Sequence, residues 1–139
     1  MPAEFVDTNI LVYAYDRTAG IKFDRARALM ESLWDRGDGL LSTQVLQEFY
    51  VAVTAKIPRP LGHREAREIV SDLGTWTVAV VEVSDIQKAS ELSERYRISF
   101  WDGLILAAAR KKGAKILWSE DFSHGRDYAG VRVRNPFTP

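Results

Sequence analysis

Apolar residues recur along this chain in two rhythms, short solid runs and longer stretches with a helical period. Glu4-Phe5-Val6 is a brief run suited to a buried strand that ends at Asp7. From Asn9 to Tyr15, Ile10, Leu11 and Ala14 share one side of a short helix. Phe23 to Trp34 is more clearly amphipathic: Ala26, Leu29, Met30 and Leu33 form one face, and Gly37 and Gly39 stop it. Leu40-Leu41-Ser42 reads as a second strand, with Thr43 as the N-cap of a helix through Lys56 that Pro58 and Pro60 close. A polar helix from His63 to Leu73 precedes a β-rich segment, Thr77 to Val83. Ser84-x-x-Gln87 has the form of a capping box opening a helix to about Tyr96. Phe100 to Lys112 is a further helix with Gly113 as its C-cap, and Ile116-Leu117-Trp118 and Val131 to Asn135 are the last strands. Strands alternating with helices predict an α/β sandwich around a mostly parallel sheet, whose strand carboxyl ends form the binding crevice.

Four acids interrupt or border these apolar runs. Asp7 follows Phe5-Val6, Glu48 precedes Phe49-Tyr50-Val51, Asp102 precedes Leu104-Ile105-Leu106, and Asp121 follows Ile116-Leu117-Trp118. An unpaired buried carboxylate is costly. Each acid taken singly has an ordinary explanation. Asp7 suits the cap of the following helix, Ser99-x-x-Asp102 is a loose capping box, and Asp121 fits a turn. Glu48 has Gln44, Val45, Val51 and Ala52 at its helical neighbour positions, so no local cation pairs with it, and Asp102 likewise lacks one. Together the four point to one acidic pocket. Two carboxylates about 5 Å apart repel by roughly 3 kcal/mol at an effective dielectric near 20, so such a cluster takes up protons or binds cations.

Composition narrows the chemistry. The 139 residues are 46% hydrophobic, enough for one domain with its own core across residues 1–139. The absence of cysteine excludes disulfides, thiolate zinc sites and cysteine nucleophiles. Lys+Arg and Asp+Glu are both 19, so attraction of a polyanion has to be local. Two basic groups are candidates: Arg110, Lys111, Lys112 and Lys115, and Arg59, His63, Arg64 and Arg67. Either can instead be a solvated face. The first residues lack a signal-peptide pattern and no run is long enough to span a membrane, so a cytoplasmic protein is expected.

In order and context the acidic segments resemble the motifs of the PIN domain family. Asp7-Thr8-Asn9 after a strand is similar to the first, Gln47-Glu48-Phe49 to the second, Trp101-Asp102-Gly103-Leu104-Ile105-Leu106-Ala107-Ala108-Ala109 to the third, and Ser119-Glu120-Asp121-Phe122 to the fourth. The ending Gly130-Val131-Arg132-Val133-Arg134-Asn135-Pro136-Phe137 resembles that of VapC-type toxins. Two departures stand out: Ser119 where many members have Thr, and the adjacent acids Glu120 and Asp121, either of which could face a metal.

The resemblance implies a three-layer α/β/α sandwich and a Mg²⁺-dependent (or Mn²⁺-dependent) ribonuclease. Asp7, Glu48, Asp102 and Asp121 would be its catalytic and metal-binding residues, with hydrogen bonds behind them from Thr8, Asn9 and Ser119. It also implies an RNA substrate, a cognate antitoxin whose tail brings an Arg or Lys toward the pocket, and a homodimer. Trp34, Tyr50, Trp76 and Trp101 are candidates for those interfaces or for core packing. Three rivals remain. One is a metal-free ribonuclease using His63 and His124. Another is an aspartyl-phosphate phosphatase, which would want a second Asp where this chain has Asn9. The third is a catalytically silent module keeping the fold.

Overall fold

The computed structural model describes residues 2–139. Its elements run β1 (Glu4–Val6), α1 (Thr8–Tyr13), α2 (Ile21–Arg36), β2 (Gly39–Ser42), α3 (Thr43–Ala55), α4 (His63–Leu73), β3 (Thr77–Ala79), α5 (Val83–Tyr96), α6 (Phe100–Lys111), β4 (Ile116–Trp118), β5 (Asp127–Tyr128) and β6 (Val131–Arg134). The strands form one sheet in the order β3-β2-β1-β4-β6-β5, and only the β5–β6 pair is antiparallel. Helical pairs bridge β1 to β2, β2 to β3 and β3 to β4. The winding runs outward from β1 to β3 and then returns past β1 to β4. Right-handed crossovers therefore put α1–α4 on one face and α5–α6 on the other. Packing agrees: α1 meets α2 and α3, α3 meets α4, and α5 packs along α6. This is the expected mostly parallel α/β sandwich.

Strand residues buried from both sides, Phe5, Val6, Leu40, Leu41, Leu117 and Val133, fill the middle layer. Helix α6 is the most deeply set, with every residue from Gly103 to Ala109 buried. Gly103 makes that possible. A Cβ there would stand 2.5 Å from the Ala89 carbonyl oxygen of α5, so the two helices could not sit as close. The glycine expected to close α6 lies one place further on: Lys112 is the cap, and Gly113 follows in the left-handed region at φ 76°.

Two other helix starts differ from expectation. Ser42, not Thr43, caps α3, its hydroxyl accepting from the Val45 N–H. Helix α5 opens on Glu82 and Asp85 in a reciprocal capping box instead of Ser84 and Gln87, which shortens the β-rich segment to Thr77–Ala79. In each case the residue directly before the helix, Ser42 or Glu82, has the extended backbone a cap requires. Among the described residues, no helix is long and apolar enough to cross a membrane.

Candidate metal centre

The crevice opens where the winding reverses, between the carboxyl ends of β1 and β4. Val6 pairs with Trp118 across those strands, so the next residues, Asp7 and Ser119, are neighbours. Asp7 is 4% exposed and does two things at once. As the N-cap of α1, its Oδ1 accepts the Thr8 N–H at 2.7 Å; its Oδ2 accepts the Ser119 hydroxyl, also at 2.7 Å. The capping and functional explanations of this residue are thus compatible. Asp102, in the first turn of α6, arrives from the opposite layer on a turn capped by Ser99. Asp121 comes from the loop after β4. Asp7, Asp102 and Asp121 each offer a carboxylate oxygen, and all three lie within 4.8 Å of one another.

Asn9 ties the cluster together. Its amide nitrogen donates to Asp121 Oδ2 at 3.0 Å and to Asp7 Oδ2 at 3.3 Å, while its oxygen accepts the Glu120 N–H at 3.3 Å. Ser119 Oγ in turn accepts the Asp121 N–H at 3.1 Å. Glu48 stands at the edge, its Oε1 accepting the Thr8 hydroxyl at 2.6 Å. The adjacent acid Glu120 turns away, its carboxylate accepting from the Tyr13 hydroxyl at 2.7 Å and pairing with Lys22 at 2.9 Å. Geometry therefore brings Asp7, Asp102 and Asp121 together, sets Glu48 beside them and removes Glu120.

Electrostatics register the crowding. Burial pushes the Asp7 carboxyl up to about 7, with Asp121 and Asp102 adding to the rise and the bonds from Ser119 and Thr8 opposing it. Asp102 is also raised, first by burial and then by Asp121 and Glu48. Without a cation, Asp7 keeps its proton up to about pH 7. Its donors are all carboxylate oxygens, a set suited to hard divalent ions such as Mg²⁺ or Mn²⁺ and not to soft metals.

The sequence model of the PIN domain family matches residues 5–126 of the chain, spanning all four acids. The chain belongs to the PIN domain family. A comparison with curated protein sequences finds no match. Among solved structures, this PIN domain is similar to VapC20 of Mycobacterium tuberculosis, a sarcin–ricin loop cleaving toxin. The TM-score is 0.65 and the identity 24%, over 86% of this chain and 90% of that one. It is similar to a chain of a toxin–antitoxin complex from Klebsiella pneumoniae, with TM-score 0.70 and 18% identity over 97% and 98%. A DNA-bound VapBC complex from Salmonella typhimurium gives TM-score 0.68 and 13% identity over 98% and 99%. At these identities the likeness is one of fold.

Other expected residues of the PIN domain have found different work. Lys111 Nζ bonds the Val80 carbonyl and pairs with Glu82 and Asp85, Arg110 bonds the Ala129 carbonyl, and Arg64 pairs with Glu68. Arg110 and Lys111 of the first group are thus tied to the fold, whereas Arg64 of the second is in an exposed surface pair. Tyr50 bonds His63, and His124 accepts the Asn135 N–H. Trp34 packs edge-on against Trp76, whereas Trp101 is 62% exposed. Sequence reasoning missed Gln44. This buried amide donates to Glu48 Oε2 at 3.4 Å and to the Trp101 carbonyl at 3.2 Å, linking the two helices that carry Glu48 and Asp102. Its place one turn before Glu48 was the available signal.

Proposed function

We propose that this PIN domain, as a single unit of residues 1–139, is a metal-dependent endoribonuclease and the toxin of a toxin–antitoxin pair acting in the cytoplasm. The observation that carries the reading is the convergence of three carboxylates from three separate elements on a space the size of one cation. Asp7, Asp102 and Asp121 would hold Mg²⁺ or Mn²⁺, with Glu48 completing the site. Bound there, the ion would lower the pKa of a coordinated water and neutralise charge on the phosphoryl oxygens. The chain's own contribution is positional. Thr8 and Gln44 fix the Glu48 carboxylate through Oε1 and Oε2, so that it orients the attacking water and takes its proton. Asn9 and Ser119 fix Asp7 and Asp121. In-line attack would form the new P–O bond as the P–O3′ bond breaks, the departing 3′-oxygen taking a proton from solvent water, to give a 5′-phosphate and a 3′-hydroxyl. No covalent enzyme intermediate is required.

The partners follow the same reading. A cognate antitoxin would silence the site by placing an Arg or Lys among the acids, and the protein would act as a homodimer. The similar chains from Klebsiella and Salmonella belong to toxin–antitoxin assemblies, which favours this role. The test is sequencing of 5′-phosphate RNA ends after expression of wild type and Asp7→Asn. New ends at defined sites with wild type alone are expected, and EDTA should abolish cleavage by the purified protein. Equal cleavage by the variant would overturn the assignment, and EDTA-resistant cleavage would favour the histidine mechanism.

A further inference from the structure

We infer that a cleft beside the acid cluster, lined by Thr8, Gln47, Glu48, Val51, Ala52 and Lys56, is a subsite for one unpaired nucleotide of the RNA, with Lys56 receiving its phosphate. The inference rests on the ribonuclease reading and adds to it where the strand runs and what form it takes. The cleft encloses about 400 Å³, within the range of small-ligand pockets. It shares Thr8 and Glu48 with the site, so whatever fills it touches the reacting region directly. Glu48 and Ala52 on α3 and its C-cap Lys56 stand at i, i+4 and i+8, one row about 12 Å long. The row is acidic at the metal end and cationic at the other. A polyanion passing over the acids into this cleft, its scissile phosphate neutralised there, meets a cation at Lys56.

Lys56 lines this cleft and has no ion-pair partner among the described residues, unlike Lys22, Arg36, Arg64, Lys88 and Lys111. With zero net charge, a cation in a cleft contiguous with the acids is a local attraction of the kind RNA binding requires. The walls suit a nucleoside. Val51 is 50% exposed and, with Ala52, offers apolar surface, and the Gln47 amide supplies a donor and an acceptor for a base edge. A cleft of this size is large enough for one nucleotide, and its base edge can reach Gln47 only when that base is unpaired.

The test is fluorescence anisotropy with a labelled, random-sequence single-stranded RNA and its duplex. Asp7→Asn in Mg²⁺ serves as the cleavage-deficient parent, read across a salt series. Adding Lys56→Ala should weaken single-strand binding by about fivefold to tenfold and lower the slope of log K against log salt by about 0.7, one phosphate contact on a single strand. Lys56→Arg should restore both. Gln47→Ala should weaken binding without altering the slope, and the duplex should bind less well than the single strand. Unchanged affinity and slope in Lys56→Ala, while the parent binds RNA, would overturn the inference and leave the ribonuclease reading standing. So would preserved RNA binding with loss of a protein partner, which would reassign the cleft to that partner. No RNA binding by the parent together with no cleavage by wild type would overturn both.

Discussion

Glu120 and Asp121 are adjacent acids with opposite surroundings, and the difference is one of contacts, not of residue type. Glu120 is bonded to Tyr13 and Lys22, away from the crevice, whereas Asp121 is held by Asn9 and Ser119 within the cluster. The sequence left either acid possible because the direction of each side chain is set by the turn after β4, for which the motif supplies only spacing. Glu120→Gln should therefore keep cleavage within about threefold. Asp121→Asn should lose about a hundredfold or more, since the several kcal/mol of charge stabilisation that a metal supplies depends on its ligands. Initial rates at saturating Mn²⁺ would decide it, and the reverse ranking would transfer the role to Glu120. By contrast, Asp7-Thr8-Asn9 was legible at once. Three consecutive polar residues directly after a buried strand have only the crevice to face, and each makes a contact there.

At the scale of elements, the long helices and buried strands could be read because their apolar patterns are long or dense. The failures fall at boundaries and on short pieces. Thr43 and Ser84 have the right chemistry for caps, but the extended backbone belongs to Ser42 and Glu82. The two-residue strand β5 has too few positions to show any period. The apolar run of α6 announced a helix without revealing how deeply it would sit. That depth depends on Gly103, next to Asp102 in the third motif. Gly103→Ala would force its Cβ against the Ala89 carbonyl and push α6 away from α5. Overpacking of this kind costs about 1–3 kcal/mol, a fall in Tm of roughly 5–10 °C for a chain this size. Because the displaced turn carries Asp102, cleavage should fall at temperatures where the variant is still folded. Thermal melts with activity assays well below Tm would check this. A variant as stable and active as wild type would show that the helices have room to spare.

For the molecule as a whole, the acid cluster couples stability to pH and to metal. The folded-state pKa of Asp7, about 7, lies above the ordinary aspartate value of 3.8. A raised carboxyl pKa contributes stability below the unfolded value, and that contribution is lost as pH climbs through the folded one. Metal-free protein should therefore lose stability between about pH 4 and pH 7. At 1.36 kcal/mol per pKa unit, three units correspond to about 4 kcal/mol for this group. The raised pKa of Asp102 acts in the same direction. A divalent ion reverses the trend, because it binds the ionised cluster and must displace the protons that burial favours. At a hundredfold excess over Kd it adds about 2.7 kcal/mol. Since Kd itself tightens as the carboxyls ionise, a fixed Mg²⁺ concentration should raise Tm more at pH 8 than at pH 6. Asp7→Asn removes the most strongly raised carboxyl, so its metal-free Tm should be flatter with pH and higher than wild type at pH 8, with a smaller response to Mg²⁺. Thermal melts in EDTA and in Mg²⁺ at several pH values would measure all three quantities. A wild-type metal-free Tm that is flat or rises from pH 5 to pH 8 would mean that the carboxylates are not crowded as the geometry requires, and the metal assignment would fall with that crowding.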